Sequence, residues 1–184
     1  VKAESDICCT SSNAVKIVES LPNKQIIFLP DKNLGSYVAR FTDKEIILFD
    51  GYCPTHNRIT PNHVDQVREA HPGVKVLVHP ECPASVVDKA DFAGSTAQIL
   101  DYVRASAEKE FIIGTEEGIL YPLGQQNPDK EFYMLATNFI CPNMKKTSLE
   151  NVLHCMETEE NAIEIDEEIR LKALQSLDKM LAVK

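Results

Sequence analysis

The sequence predicts an α/β fold made of repeated three-layer α/β/α units with short parallel sheets. Three observations carry that expectation. Short apolar runs alternate with helical patterns along the chain, the order that builds parallel sheets. Runs such as Ile26-Ile27-Phe28-Leu29 and Val76-Leu77-Val78 are continuously apolar, as strands covered on both faces are. One order of hydroxyl-rich helix start, helix, strand and cysteine loop occurs twice.

Taken in order, residues 6–9 are expected as a strand end. Thr10 to Asn13 then cap a helix to about residue 21, with Ala14, Val15, Ile17, Val18 and Leu21 as its apolar stripe. Pro22-Asn23 turns the chain into a strand at 26–29. A loop from Pro30 leads to a short helix at 34–41, and a strand follows at 45–49. The loop 51–58 carries Cys53, and a helix over 61–70 follows the cap Thr60. After the turn His71-Pro72-Gly73, a strand at 74–78 ends in His79-Pro80-Glu81. The pattern then gives a helix at 84–89, a brief strand at 91–94 and a helix begun by Ser95-Thr96. A strand at 110–113, a short helix near 119–125 and a strand at 131–135 complete that run. Past Cys141, Ser148 caps a helix at 149–156. Asp166 caps a last helix with Ile169, Leu174, Leu177 and Leu181 on one face.

The repeat pairs Gly51-Tyr52-Cys53-Pro54 with Phe139-Ile140-Cys141-Pro142. It also pairs Lys24-Gln25-Ile26-Ile27-Phe28 with Lys109-Glu110-Phe111-Ile112-Ile113. Three segments follow: residues 1–60 as the remainder of one unit, 61–148 as a second unit, and 149–184 as C-terminal helices packing back on the core. The strand at 74–78 opens the second unit, and its counterpart in the first would precede residue 1. The sequence is therefore expected to begin inside a unit.

The 184 residues carry a formal net charge of −9, which argues against non-specific binding to nucleic acid or to an anionic membrane. Much of the acid sits between Glu157 and Glu168 and reads as a solvated linker and helix start. No apolar run approaches the length of a bilayer span. Six cysteines without a Cys-x-x-Cys pair fit neither a disulfide framework nor a zinc ribbon.

Cys53 and Cys141, at equivalent places in two units, are the best metal ligands, and a third thiolate is expected from a missing unit. Three thiolates on an iron–sulfur cluster leave one iron open as a Lewis acid. Cys8, Cys9, Cys82 and Cys155 have no such equivalents and read as small buried residues. His79 and Glu81, two residues apart at a strand end, are suited to acid–base chemistry, or to structural hydrogen bonding of the loop. Ser11, Ser95 and Thr96 sit at helix starts, where hydroxyls and N–H groups either bind an anion or simply cap. His56 is a weaker candidate, and His63, His71 and His154 read as surface or packing residues.

These stretches resemble quinolinate synthase, an iron–sulfur enzyme family of NAD biosynthesis. The resemblance rests on Cys9-Thr10-Ser11-Ser12-Asn13, Pro30-Asp31-Lys32-Asn33, Gly51-Tyr52-Cys53-Pro54-Thr55-His56 and Val78-His79-Pro80-Glu81-Cys82-Pro83. Gly94-Ser95-Thr96, Ile113-Gly114-Thr115-Glu116 and Cys141-Pro142-Asn143-Met144 continue it in family order. It implies a pseudo-threefold α/β protein, a [4Fe-4S] cluster on Cys53, Cys141 and a cysteine upstream of residue 1, and a cytoplasmic enzyme. It further implies condensation of iminoaspartate with dihydroxyacetone phosphate, and a functional link to L-aspartate oxidase or aspartate dehydrogenase. Glu81 and His79 would be catalytic, and Ser11, His79, Glu81, Ser95 and Thr96 would bind substrate. Residues 1–184 alone are expected to be inactive. The competing reading is a metal-free α/β module that binds phosphorylated or carboxylate metabolites. A structural or redox-sensing iron–sulfur protein would need a fourth protein ligand, and none is found at a repeat-equivalent position.

Overall fold

The structure is a computed structural model and describes residues 1–137 and 139–183. Asn138, in the expected second repeat, and Lys184, in the expected C-terminal segment, lie outside the described residues. The chain divides into two compact units, Thr10–Ile140 and Val1–Cys9 with Cys141–Lys184.

Within residues 10–140 the chain runs α1 (Ala14–Ser20), β1 (Gln25–Phe28), α2 (Lys32–Val38), β2 (Glu45–Leu48), α3 (Pro54–Asn57) and α4 (Pro61–Ala70). It continues with β3 (Lys75–Val78), α5 (Ala84–Val87), β4 (Phe92–Ala93), α6 (Thr96–Ala105), β5 (Glu110–Gly114), α7 (Leu120–Gln126) and β6 (Glu131–Met134). Strands β4-β3-β5-β6 form one sheet and β1-β2 another, and every pairing is parallel. The central register sets Val76 opposite Ile112 and Leu77 opposite Ile113.

Successive side chains of a strand point to opposite faces, so a continuous apolar run feeds two cores at once. Val76, Val78 and Ile112 join Val64 of α4 and Val86 and Val87 of α5 in one cluster. Leu77, Phe111 and Ile113 join Ile99 and Val103 of α6 and Leu123 of α7 in the other. This sheet is therefore the middle of three layers. Burying its aliphatic side chains contributes about 1.5–3 kcal/mol each against leaving them in water.

The two-stranded sheet is covered less completely. Phe28 is buried, but Ile27 and Ile47 are 69% and 43% exposed, so one face of β1-β2 is open. Gly51 follows this sheet as a close-approach glycine: a Cβ there would run into the Pro30 carbonyl oxygen. Lys32 N donates to Gly51 O at 2.8 Å, which ties the cysteine loop to the start of α2.

In the other unit, α8 (Leu149–Thr158) is capped by Ser148, which accepts from Asn151 N, and α9 (Glu167–Ala182) by Asp166, which accepts from Glu168 N and Ile169 N. Three expectations are corrected here. Residues 6–9 form no strand, because Cys8 N donates to Ser176 O of α9 instead of to a strand neighbour. The inner side of α9 is centred on Ser176, with Ala173, Leu177 and Met180 partly buried, whereas Ile169, Leu174 and Leu181 are exposed. The Ser176 hydroxyl donates to Lys2 O at 2.9 Å, so the helix packs its small residues against the 3-10 turn Lys2–Glu4. Cys155 is exposed rather than buried, while Cys82 is buried as expected.

Candidate functional site

Strand β3 delivers His79 and Glu81. His79 N donates to Gly114 O at 3.0 Å, which continues the β3–β5 ladder one step past the strand end. That approach requires glycine at 114, because an added Cβ would lie 2.7 Å from Val78 Cγ1. Beyond it the backbone turns, and Cys82 N donates to His79 O at 3.0 Å.

The cysteine loop arrives from the other sheet. Asp31, the N-cap of α2, is buried and uses both carboxylate oxygens. Oδ1 accepts from Leu34 N and Oδ2 from Cys53 N, each at 2.8 Å. Burial holds its pKa above the ordinary value, against the lowering effect of these N–H groups. One residue thus caps a helix and fixes the backbone of Cys53. Cys53 is in turn the N-cap of α3, so Cys53 and His56 stand one turn apart on the same face.

His56 is the hub. Its Nδ1 lies 3.1 Å from Cys53 Sγ and 3.2 Å from Glu81 Oε2, and its Nε2 lies 3.0 Å from Thr115 Oγ1. Thr115 is 2% exposed and follows β5 directly. Burial disfavours the imidazolium, yet the Cys53 sulfur and the Glu81 carboxylate outweigh it and raise the His56 pKa to about 9. Burial likewise works to raise Glu81, but His56 and His79 beside it keep its pKa below the ordinary value.

His79 stands 4.8 Å from the His56 ring, centroid to centroid, and has the opposite charge preference. Burial and the neighbouring His56 lower its pKa to about 4. Its tautomer follows from its partners. Glu81 N donates to His79 Nδ1 at 3.3 Å, so the ring proton sits on Nε2 and is donated to Ser11 Oγ at 3.1 Å. Ser11 therefore accepts from His79 and keeps its own hydroxyl hydrogen to donate elsewhere.

Of the residues expected from sequence, Ser11, His79, Glu81 and Cys53 are thus one connected network. Ser95 and Thr96 stand at the start of α6, where the Ser95 hydroxyl accepts from Gln98 N at 3.2 Å and Gln98 Oε1 accepts from Ser95 N at 2.8 Å. That is a capping box. Among the described residues, no hydrogen bond joins Ser95 or Thr96 to the network. Cys141 belongs to the other compact unit. His56, ranked low from sequence, is central, and Thr115 and Asp31 were not singled out. The Cys53-x-x-His56 spacing at a helix start was the available signal. His63 completes the cap of α4 with Thr60, His71 stacks on Tyr133, and His154 is exposed beside Glu160, in line with their surface and packing reading.

A family profile described as quinolinate synthetase A protein matches residues 1–182. The chain belongs to the quinolinate synthetase A family. It is 52% identical over 183 residues to quinolinate synthase of Geobacter sp. (strain M21), covering 100% of this chain and 60% of that protein. It is 55% identical over 182 residues to quinolinate synthase of Caldicellulosiruptor bescii, covering 98% of this chain and 60% of that protein. With quinolinate synthase of Methanoregula boonei the identity is 48% over 183 residues, 100% of this chain and 61% of that protein. The chain thus spans about 60% of the length of these relatives. Among the described residues no helix is long and apolar enough to cross a membrane.

Proposed function

We propose that the full-length protein is a quinolinate synthase of the cytoplasm, condensing iminoaspartate with dihydroxyacetone phosphate to quinolinate. The supporting observation is that Ser11, His79 and Glu81 meet beside Cys53 in one hydrogen-bonded network, with Glu81 ion-paired to His56, in a chain of this family. Iminoaspartate would come from an aspartate-oxidising enzyme such as L-aspartate oxidase or aspartate dehydrogenase.

The family uses a [4Fe-4S] cluster, and the donor chemistry fits it. Cys53 and Cys141 are half-exposed and outside any disulfide, and thiolates are what such clusters take. They would be two of its ligands. When bound, the cluster supplies an open iron as a Lewis acid toward a substrate oxygen or nitrogen.

The remaining work falls to side chains. Glu81 is held ionised and accessible, so it accepts a proton from substrate. His79 is neutral and fixed as the Nε2–H tautomer. It orients Ser11, whose hydroxyl donates to a substrate carboxylate or phosphate. At the start of α6 an anion would meet the Thr96 hydroxyl and first-turn N–H groups, since the Ser95 oxygen is already engaged.

Glu81→Gln in the full-length protein tests this. Bound iron and sulfide should be unchanged while quinolinate formation falls by about 10²–10⁴-fold, the span of general acid–base contributions. Unaltered turnover would remove Glu81 from the mechanism. Absence of quinolinate from the iron-loaded unsubstituted protein, supplied with both substrates, would remove the function itself.

A further inference from the structure

The geometry points to a mononuclear site for a zinc-class divalent cation formed by Cys53 Sγ, His56 Nδ1 and Glu81 Oε, distinct from a cluster that also uses Cys141. These three donors lie within 4.8 Å of one another, and among the described residues no other group of three comparable side chains converges so closely. Sulfur, imidazole nitrogen and carboxylate oxygen are the donor types zinc takes, at about 2.3, 2.0 and 2.1 Å. A tetrahedral ion with such bonds sets its ligands about 3.3–3.6 Å apart. The observed 3.1 Å between Cys53 Sγ and His56 Nδ1, and 3.2 Å between His56 Nδ1 and Glu81 Oε2, need only small outward movements to reach that spacing.

The surroundings supply what a metal site needs beyond its ligands. A ligating histidine is oriented by a partner on its other ring nitrogen. Here His56 Nε2 meets Thr115 Oγ1 at 3.0 Å, and that threonine is buried at the end of β5. The Cys53 backbone is pinned by Asp31. Asn33 Nδ2 donates to Glu81 O at 2.9 Å and so steadies the third ligand. Cys53 and Glu81 are both half-exposed, which leaves an entry path and a fourth coordination position facing solvent. Because Cys53 would serve both, the single ion and the cluster exclude each other at this place.

Cobalt(II), a spectroscopic substitute for zinc, tests the site in chelator-treated, cluster-free protein. We expect one ion per chain with a thiolate-to-cobalt charge-transfer band and the strong visible bands of a tetrahedral centre, all displaced by one equivalent of zinc. Cys53→Ser should abolish the charge-transfer band. His56→Gln and Glu81→Gln should each lower affinity at least tenfold, and Thr115→Val about 10–100-fold, as loss of an outer partner does. Cys141→Ser should leave the cobalt spectrum and affinity unchanged, although it should reduce iron loading if the cluster reading holds. The two readings can therefore fail separately. Absence of the band, its survival in Cys53→Ser, or its loss in Cys141→Ser would overturn the mononuclear site. If Cys53→Ser does not fold, unchanged cobalt affinity in a folded Glu81→Gln protein would overturn it equally.

Discussion

Replacing Asp31 with Asn keeps the shape of the side chain but turns one acceptor into a donor. Both oxygens of Asp31 receive N–H groups, from Leu34 and from Cys53, so the amide –NH2 must face one of them. A buried N–H left without an acceptor costs about 1–3 kcal/mol. Asp31→Asn should therefore lower the unfolding free energy by roughly that amount in urea titration, and no loss would show that water takes the vacated place. At this scale the sequence was readable where chemistry and position coincide. His79, Glu81 and Cys53 stand at strand ends in short polar motifs. His56 was harder, because its importance comes from Thr115 and Glu81, which lie far away in the chain and approach it only through the fold. Asp31 looked like an ordinary loop residue for the same reason, since nothing local announces that its second oxygen reaches Cys53.

Strand β3 and its neighbour β4 are clamped at one end by Asp91. Its Oδ2 accepts from Val76 N at 2.9 Å and from Arg68 Nη2 at 2.8 Å, and Lys75 Nζ stands 3.3 Å from Oδ1. Burial works to raise the Asp91 pKa, but the Val76 N–H and the two cations outweigh it, so the folded value lies below the ordinary 3.8. A carboxylate with a depressed folded pKa stabilises the protein fully above its unfolded pKa. That contribution is lost as pH falls through the folded value. Stability measured by urea titration should thus decline more steeply below about pH 4 in the unsubstituted protein than in Asp91→Asn. Parallel slopes would show that Asp91 carries no such linkage. Elements of this kind were legible because a continuous apolar run with capped helices on either side has few other folds open to it. The exceptions are instructive. Residues 6–9 have strand-like composition but pair with a helix carbonyl, and the inner side of α9 is set by the small Ser176 rather than by its larger apolar stripe.

Both sheets and both hydrophobic clusters lie within residues 10–140. Among the described helical residues of the other unit, Ser176 alone is buried. Residues 10–140 produced alone should therefore unfold in one cooperative transition by far-ultraviolet circular dichroism, while a peptide of residues 141–184 should show no cooperative transition. A broad, non-cooperative melt of residues 10–140 would refute that division of stability. The parallel order β4-β3-β5-β6 also bears on how the chain reaches this state during synthesis. No adjacent pair can close as a hairpin, because each needs a crossover between its strands. The Val76-Leu77-Val78 run emerges from the ribosome first and must wait, unpaired, until β4 and then β5 have followed it out. Non-local pairing of this sort is slow, and an apolar strand with open edges is a template for wrong partners. During the interval between translation of β3 and of β5 the nascent protein therefore presents such a template.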